Sequence, residues 1–362
     1  NYPDYQDKNE PNNISRIRQS KIEMIDLRSD TVTRPVQGML NAMLEAEVGD
    51  DVFAEDATVN AFQDKIAALF GMEAGLFVPS GTMSNQLGLA VLTEPGDEIL
   101  IDEKGHVFNY ETGAASFLSG IQISPVAGKS GKLSVDHIRH KVRGNYDWEP
   151  VTKVLCLENS TNKGGGVCYT KEELVALKAF ADEQGLFVHL DGARIWNAMI
   201  ATEIEPEFFG RVSDTISVCF SKGLGAPVGS MLLSTKERIA KARRYRKMWG
   251  GGMRQVGLLA AAADYAVEHH WSLLNQDHQR AKEFAATVSE CAALSIDLES
   301  VETNIVIFDC LNEAAPSALE KLAAHDIQMV QFGPATIRAT FHFQVGDEQL
   351  DKVKSVIKEL FN

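Results

Sequence analysis

The sequence predicts an α/β protein whose central sheet is mainly parallel. Short apolar runs alternate along the chain with segments in which apolar residues recur at helical spacing. The pattern is clearest where the apolar run 154–158 is followed by an amphipathic segment, 171–184, and then by a second apolar run, 186–191. Strand–helix–strand units of this kind place successive strands in parallel through right-handed crossovers.

Length and composition restrict the class of protein. With 362 residues the chain can form one large domain and a smaller one. Its net charge of −15 argues against nucleic acid and anionic membranes as partners, because both attract a surplus of lysine and arginine. Five scattered cysteines without a Cys-x-x-Cys pair favour a reducing compartment. With no apolar run of ~18 residues and no signal-peptide core, we expect a cytoplasmic location.

The N-terminal part of the chain contains a polar stretch followed by helical patterns. Pro35 is predicted to open one helix, and Thr58 is predicted to cap a second that ends at Gly71. An Ala-rich helix from Val256 to about His270 is predicted to link to a second domain, so we divide the chain into four predicted segments. They are a polar extension, an N-terminal segment, a large cofactor-binding domain and a small C-terminal domain, at 1–23, 24–45, 46–256 and 257–362.

A possible anion seat follows the apolar run 75–78. The turn Ser80-Gly81-Thr82 comes next, and a helix is predicted to begin there. The free amides of a helix start, together with two hydroxyl groups, can bind a phosphate. A lone Ser-Gly-Thr sequence is also a common helix cap, so this interpretation depends on a phosphate-bearing ligand being indicated elsewhere.

Two apolar runs deliver a carboxylate and a lysine to one edge of the predicted sheet. The run 186–191 ends in Asp191, and the run 215–220 is followed by Lys222. Open α/β sheets bind their ligands at the carboxyl ends of their strands. A lysine that forms a Schiff base and a carboxylate that keeps a pyridine nitrogen protonated are what pyridoxal phosphate requires. Either residue alone is more often a surface lysine or a turn cap, but the pair in this order favours the cofactor.

Three further side chains are candidates for the site, and two of them, His106 and Arg254, also have an ordinary structural interpretation. His106, after a predicted strand, could stack on a planar cofactor or be a loop histidine bonded to backbone. Arg338 lies on the predicted strand 336–341, where it could bind a substrate carboxylate with two hydrogen bonds. The glycine-flanked Arg254 could reach a phosphate in another subunit or lie on a surface turn. The basic run 241–247 is either a solvated helix face or an anion-binding patch.

Six short motifs occur in a familiar order along the chain. They are DLRSDTVTRP at 26–35, VGDDV at 48–52, SGT at 80–82, DGAR at 191–194, SKGLG at 221–225 and GGGMRQ at 250–255. In this respect the chain resembles the L-threonine and L-allo-threonine aldolases of the β-eliminating lyase group. The resemblance implies the aspartate aminotransferase-like fold of type I pyridoxal phosphate enzymes. That fold has a large domain with a mainly parallel sheet and a smaller α+β C-terminal domain.

The resemblance also implies pyridoxal 5′-phosphate as the cofactor and a role for each matching residue. Lys222 would hold the cofactor as a Schiff base, and Asp191 would pair with its pyridine nitrogen. His106 would stack on the ring, lie near the substrate hydroxyl and act in catalysis. The implied phosphate contacts are Ser80, Gly81, Thr82 and, from a neighbouring subunit, Arg254. The implied contacts of the substrate carboxylate are Ser29, Arg338 and Arg194, the last also counted as cofactor-binding.

The implied reaction is retro-aldol cleavage of a small amino-acid substrate. L-Threonine, L-allo-threonine or a related β-hydroxy-α-amino acid would be converted to glycine and an aldehyde. β-Elimination or transamination on the same scaffold is the alternative. The resemblance further implies a homotetramer built as a dimer of dimers, and no metal site is expected.

Two positions depart from the pattern usual in this family. Thr161 stands where the family commonly has a histidine near the substrate hydroxyl, so the preferred β-carbon stereochemistry stays open. Phe53 replaces a frequent tyrosine, which removes a hydroxyl group near the site. With Thr161 in that place, we expect His106, directly or through water, to act as the base, with Glu158 as the alternative.

Overall fold

The structure, a computed structural model, describes residues 24–144 and 146–362, so the predicted extension 1–23 lies outside the described residues. The helices are α1 (Gln37–Glu45), α2 (Ala57–Leu69), α3 (Gly81–Ala90), α4 (His106–Asn109), α5 (Ala114–Ser119), α6 (Val135–Ile138), α7 (Lys171–Gln184), α8 (Ile195–Thr202), α9 (Pro206–Arg211), α10 (Lys236–Met248), α11 (Gly257–His270), α12 (Leu274–Ser289), α13 (Ala315–Ala324) and α14 (Asp347–Phe361). The strands are β1 (Ile25–Asp26), β2 (Ala74–Val78), β3 (Glu98–Asp102), β4 (Gln122–Val126), β5 (Thr152–Glu158), β6 (Phe187–Gly192), β7 (Thr215–Cys219), β8 (Ser230–Ser234), β9 (Leu294–Ser295), β10 (Ile305–Cys310), β11 (Ile327–Gln328), β12 (Val330–Gln331) and β13 (Thr336–Thr340).

The main sheet has seven strands in the order β2-β8-β7-β6-β5-β3-β4. Strands β4, β3, β5, β6 and β7 pair in parallel, whereas β8 runs antiparallel to both β7 and β2. The connection between β7 and β8 contains no helix, and a parallel return needs a crossover of about a dozen residues or more. The predicted mainly parallel α/β architecture is therefore confirmed.

Helices cover both faces of this sheet. One hydrophobic cluster lies between the sheet and α1, α2, α7, α8 and α11, and a second lies beneath α3, α5 and α10. Burial on both faces explains why the parallel strands are almost continuously apolar in sequence. It also leaves the strand ends as the place where polar side chains of the sheet collect.

A second sheet lies in the C-terminal part of the chain. It has four antiparallel strands in the order β12-β13-β10-β9 and a separate core, formed with α12, α13 and α14. Strand β1 pairs in parallel with β11, which adds Ile25 and Leu27 to this core. The smaller α+β domain is thus present, while α11 packs on α1 and α2. The exact domain limits stay a prediction.

The predicted cap of α2 at Thr58 is wrong. Asp56 caps this helix, because its Oδ1 accepts a hydrogen bond of 3.0 Å from the backbone N–H of Val59. The hydroxyl of Thr58 instead donates to the carbonyl oxygen of Glu47 at 2.7 Å. Both residue types can cap a helix, and aspartate here has a free acceptor aimed at the first turn.

The basic helix α10 uses several of its charges in ion pairs. Arg243 and Arg246 both pair with the buried Asp51, and Lys241 pairs with Glu94. The two pairs with Asp51 anchor α10 on the segment before α2 and compensate the buried carboxylate. None of the helices in the described parts of the chain combines the length and apolarity needed to cross a bilayer.

Candidate active site

The carboxyl ends of β5, β6 and β7 meet at one edge of the main sheet. Asp191, near the end of β6, is paired in register with Glu158 of β5 and Ser217 of β7. Its buried carboxylate accepts hydrogen bonds of 3.0 Å from Asn85 Nδ2 and from the backbone of Ala193. The half-buried Lys222 follows directly after β7 at the same edge. The structure therefore brings the predicted carboxylate and lysine to adjacent strand ends.

The start of α3 lies close beside β7. Ser80 caps this helix, because its side chain accepts a hydrogen bond of 3.2 Å from the backbone N–H of Met83. A Cβ atom added at Gly81 would lie 2.7 Å from the sulfur of Cys219, so a larger residue would push the helix start away. With Thr82 in the first turn, this is a seat at which backbone amides and hydroxyls can hold a phosphate.

His106 begins α4 and contacts two buried carboxylates. Its ring Nδ1 lies 2.9 Å from Glu111 Oε1, and its backbone N–H donates to Glu158 Oε2 at 2.8 Å. The ring thus bonds a carboxylate rather than backbone. Burial disfavours its protonation, but the Glu111 hydrogen bond and the charge of Asp191 outweigh burial and raise the pKa of His106. This imidazole is suited to take up a proton.

The ring nitrogen of His106 and the carboxylates of Glu111 and Asp191 lie within 4.8 Å of one another. The same side-chain amide, Nδ2 of Asn85, donates to both carboxylates, at 2.8 Å and 3.0 Å. Gln86 Nε2 donates to the second oxygen of Glu111 at 2.6 Å. Amide protons that point at both carboxylates would repel a cation placed between them. We interpret the cluster as a hydrogen-bond network and assign no metal to it.

Glu158 ties His106 to the loop that follows β5. Its Oε1 accepts a hydrogen bond of 2.7 Å from the backbone N–H of Asn162, and its Oε2 accepts the one from His106. Burial and the neighbouring charge of Asp191 raise the pKa of Glu158 to about 7. The carboxyl group of Glu158 therefore holds the backbone of His106 on one side of the site and the backbone of Asn162 on the other.

Arg194 forms a two-pronged ion pair with the fully buried Asp30. Its Nε and Nη2 donate to the two oxygens of Asp30 at 2.8 Å and 2.7 Å, and its Nη1 lies 3.4 Å from Asn162 Oδ1. Burial favours the neutral acid, but the charge and hydrogen bonds of Arg194 prevail and lower the pKa of Asp30 to about 2. The charge of Arg194 is thus compensated within the chain.

Arg338, on β13, is equally buried but has no carboxylate partner among the described residues. Its Nη1 donates to Asn162 Oδ1 at 2.7 Å, its Nη2 donates to the carbonyl of Arg28 at 2.9 Å, and its Nε is unpartnered there. Its guanidinium stands over the ring of Phe332. Burial and the like charge of Arg194 lower the pKa of Arg338 to about 10. A buried cation in this state is suited to bind an anion from outside the chain.

The remaining two predicted residues differ in position. Ser29 precedes Asp30 and accepts a hydrogen bond of 3.2 Å from the backbone N–H of Thr31, so it lies beside the Asp30–Arg194 pair. Arg254 is half exposed and pairs with Asp50 at 2.9 Å. In the described part of the chain, Arg254 forms no hydrogen bond with the other predicted site residues, and its role across a subunit interface stays a prediction.

Sequence reasoning missed the side chains that hold the site together. Asp30 lies inside the motif at 26–35 and Asn162 lies next to Thr161, and both are polar residues in otherwise buried surroundings. Asn85 lies far along the chain from its partners Asp191 and His189, whereas Glu111 is only five residues from His106 and went unnoticed because no motif marks it. A polar side chain in the middle of the buried helix α3 was the available signal for Asn85.

Comparisons with known proteins fit this geometry. The β-eliminating lyase family matches residues 26–311. The low specificity L-threonine aldolase of Escherichia coli K12 is 40% identical over 331 residues, covering 91% of this chain and 97% of that protein. A probable low-specificity L-threonine aldolase 2 of Arabidopsis thaliana is 36% identical and covers 96% of this chain and 99% of its own length.

The chain belongs to the β-eliminating lyase family. A solved structure of a Leishmania major threonine aldolase matches with a TM-score of 0.80 at 20% identity, over 93% of this chain and 99% of that one, which shows the shared fold. The predicted aspartate aminotransferase-like fold is thereby confirmed. So is the predicted cofactor, since enzymes of the β-eliminating lyase family and fold work with pyridoxal 5′-phosphate.

The residues of the site fit that cofactor. The close approach of Gly81 to Cys219 fixes the start of α3 against the end of β7, and Asp191 presents a buried carboxylate at the same sheet edge. Lys222 follows β7, the strand next to the one that carries Asp191, and would hold the cofactor covalently. The individual roles of these residues are part of the proposal below.

Proposed function

We propose that the protein cleaves L-threonine, L-allo-threonine and related β-hydroxy-α-amino acids to glycine and an aldehyde, as a carbon–carbon lyase. One observation carries the proposal: the segment 158–162 contacts both the base candidate His106 and Arg338, a buried cation without a carboxylate partner among the described residues. An amino acid with a β-hydroxyl group offers a proton to the first and a carboxylate to the second. The named threonine aldolases that the chain resembles support this assignment.

When bound, pyridoxal phosphate accepts the electrons of the Cα–Cβ bond that breaks. Lys222 would attach the cofactor, and Asp191 would hold the proton of the pyridine nitrogen. Asp191 is buried and receives hydrogen bonds on both oxygens, which keeps it in one orientation for that contact. The seat formed by Ser80, Gly81 and Thr82 would bind the phosphate.

Arg338 would bind the substrate carboxylate. Its Nε is unpartnered and it forms no ion pair among the described residues, so a carboxylate would satisfy both. Arg194 and Ser29 would contribute from the neighbouring Asp30 segment, with Arg194 held in place by its ion pair. Binding at this end would orient the Cα–Cβ bond for cleavage.

His106 would take the proton of the β-hydroxyl group, directly or through water. General base catalysis of this kind contributes roughly 10²–10⁴-fold. The hydroxyl of the buried Thr161 already donates to the carbonyl oxygen of Ser130 at 3.1 Å. Thr161 therefore does not replace a second imidazole, and the proton transfer falls to His106.

The assembly and location are part of the same proposal. Leu44 and Phe53 are 84% and 70% exposed, and Phe53 lies in the same short segment as the Asp50–Arg254 pair. We infer that this surface is covered by a second copy in a homotetramer, a dimer of dimers in which Arg254 reaches the neighbouring phosphate. Buried thiols and a strongly acidic chain support a cytoplasmic enzyme with no nucleic-acid or membrane partner.

The test is product analysis with the purified holoenzyme. L-Threonine and L-allo-threonine are supplied separately, and glycine, acetaldehyde, ammonia and keto acid are each quantified. We expect equal amounts of glycine and acetaldehyde, lost together with the visible absorption of the bound cofactor in Lys222→Ala. Lys129→Ala, at an exposed lysine, is the control and should match the wild type. Ammonia and a keto acid in place of glycine would instead establish β-elimination.

A further inference from the structure

We propose that Glu111 is the positioning residue of His106. Its carboxylate holds the proton on Nδ1 of the imidazole, so that Nε2 is the nitrogen that takes the proton of the substrate hydroxyl. This inference rests on the proposed function, in which His106 is the base. It assigns a role to a residue that no sequence motif singled out.

The geometry of Glu111 permits one interpretation of the hydrogen bond. An ionised carboxylate only accepts hydrogen bonds, so the nitrogen 2.9 Å from Glu111 Oε1 must carry a proton. That nitrogen is Nδ1 of His106. In the neutral ring the proton on Nδ1 leaves Nε2 with its lone pair, which is the state that a base requires.

Two amides of α3 donate to both oxygens of Glu111, so both oxygens act as acceptors and the side chain is held in place. Asn85 Nδ2 donates to Oε1 at 2.8 Å, and Gln86 Nε2 donates to Oε2 at 2.6 Å. The side chain of Glu111 is fully buried, so these donors replace water. Both donors lie on α3, the helix whose first turn forms the phosphate seat.

The orientation of the Asn85 amide follows from its neighbours. Its Nδ2 faces two acceptors, Glu111 and Asp191, so its Oδ1 faces Nε2 of His189 at 3.1 Å. Burial lowers the pKa of His189 to about 4, so this histidine is neutral, donates from Nε2 and accepts at Nδ1 from Thr215 at 2.8 Å. One amide therefore fixes the carboxylate behind the base and the carboxylate that serves the cofactor.

Glu111 acts together with the clamp on the backbone of His106. Glu158 holds the N–H of this residue, and Glu111 holds its ring, so the imidazole is fixed at two points. The charged groups around the ring are Glu111 and Asp191, which favour the imidazolium, and Lys222, which opposes it. A carboxylate at Nδ1 also stabilises the imidazolium that forms when Nε2 takes a proton.

The decisive variant is Glu111→Gln. Its amide group can donate to Nδ1 and so favours the opposite tautomer, with the proton on Nε2. We expect kcat to fall about 10²-fold while KM changes less than about 2-fold, because the carboxylate-binding arginines are untouched. Glu103→Gln is the matched control, since it removes an exposed carboxylate from the preceding loop, and it should leave both constants unchanged.

A second readout reports the tautomer without relying on turnover. Two-bond ¹H–¹⁵N correlation spectra of the holoenzyme with labelled histidine distinguish Nδ1–H from Nε2–H, and His106→Asn assigns the signal. We expect the Nδ1–H tautomer in the wild type and in Glu103→Gln, and the Nε2–H tautomer in Glu111→Gln. A substitution that merely loosened the fold would not exchange one tautomer for the other.

The outcomes separate the inference from the function on which it rests. A wild-type enzyme that releases no glycine and aldehyde contradicts the proposed function, whatever the tautomer of His106. If the wild type cleaves its substrate but carries the proton on Nε2, the role of Glu111 is wrong. That role is equally wrong if Glu111→Gln keeps its kcat, or if only KM changes.

Discussion

Arg194 and Arg338 lie on either side of Asn162 and show what a counter-ion inside the chain does to a buried cation. Both are nearly inaccessible, at 5% and 8% exposure. Arg194 donates two N–H groups to the carboxylate of Asp30, and this ion pair lowers the pKa of Asp30 to about 2. Arg338 has only neutral acceptors among the described residues, and burial lowers its own pKa to about 10.

The difference separates a cation that is held by its own counter-ion from a cation that has none within hydrogen-bond reach among the described residues. A buried charge with its own counter-ion contributes to a fixed framework, whereas one without a counter-ion keeps an unfavourable energy that a ligand can relieve. The side-chain oxygen of Asn162 accepts a hydrogen bond from each guanidinium group, and this shared acceptor lies between the two positive charges. Removing the counter-ion Asp30 should therefore act mainly on stability, whereas removing Arg338 should act mainly on substrate binding.

Asp30→Asn should have the largest effect, on stability. Breaking a buried ion pair leaves the Arg194 charge without compensation and typically costs about 3–5 kcal/mol. Because the pKa of Asp30 is lowered on folding from 3.8 to about 2, its contribution is present above pH 3.8 and is lost as pH falls through 2. Urea unfolding at pH 7 measures the difference. The control Asp26→Asn, at the exposed Asp26–Arg28 pair, should cost less than about 1 kcal/mol.

Arg338→Met should reverse that pattern by removing function while sparing stability. Removing one partner of a buried charge contact costs about 2–5 kcal/mol, so kcat/KM for L-allo-threonine should fall at least about 30-fold, largely through KM. The free energy of unfolding should stay the same or rise, because an apolar side chain replaces an uncompensated charge. Arg139→Met, at an exposed arginine, should leave kinetics and stability unchanged. A stability loss comparable to that of Asp30→Asn would contradict the distinction between the two arginines.

The contrast also shows what the sequence could and could not predict. Apolar runs marked β6 and β7, so Asp191 and Lys222 were correctly expected at one edge of a parallel sheet. A pairing such as Asp30 with Arg194 joins residues 164 positions apart, and no local pattern encodes it. The sequence likewise predicts that Arg338 lies on a strand, but not that its cation lacks a carboxylate partner among the described residues.

Local patterns failed for a second reason at the ends of elements and in the small sheet. Strands β9, β11 and β12 have two residues each, too short for an alternating pattern to be recognised. Strand β4, with proline and polar residues at the sheet edge, also gives a weak apolar signal. The network from Asn85 to Glu111 depends on a close approach of α3 that only the folded chain establishes.

Asp277 extends the comparison to a buried acid without a partner. It lies on α12, its side chain is inaccessible, and neither oxygen has a hydrogen-bond partner among the described residues, with Arg280 3.7 Å away. Burial prevails over Arg280 and raises the pKa of Asp277 from 3.8 to about 8. Between pH 3.8 and about 8 the carboxyl group of Asp277 is protonated in the folded chain but ionised in the unfolded chain. Its contribution to stability therefore falls as the pH rises from about 4 to 8.

The corresponding variant is Asp277→Asn. Since an ionised carboxylate without a partner is costly, the variant should gain about 1–3 kcal/mol relative to the wild type between pH 5 and pH 9. Urea unfolding at both pH values gives this difference, and the exposed acid Asp136 provides the control Asp136→Asn. A constant difference across the range would mean that Asp277 is already ionised at pH 5, as Asp30 is.

Arg254 should give the smallest effect and tests whether a third arginine binds across an interface. Its pair with Asp50 is half exposed, so Arg254→Ala should change the stability of the folded chain by less than about 1 kcal/mol. If the side chain contacts a cofactor phosphate in a neighbouring subunit, the affinity for pyridoxal phosphate should fall about 10-fold, equivalent to about 1.4 kcal/mol. The comparison variant is Arg28→Ala, since Arg28 is similarly exposed and also paired with an aspartate. Cofactor titration measures the affinity for pyridoxal phosphate, and sedimentation of the same samples measures the assembly, so lost binding is distinguished from lost assembly. An intact assembly with unchanged cofactor affinity would exclude the phosphate contact.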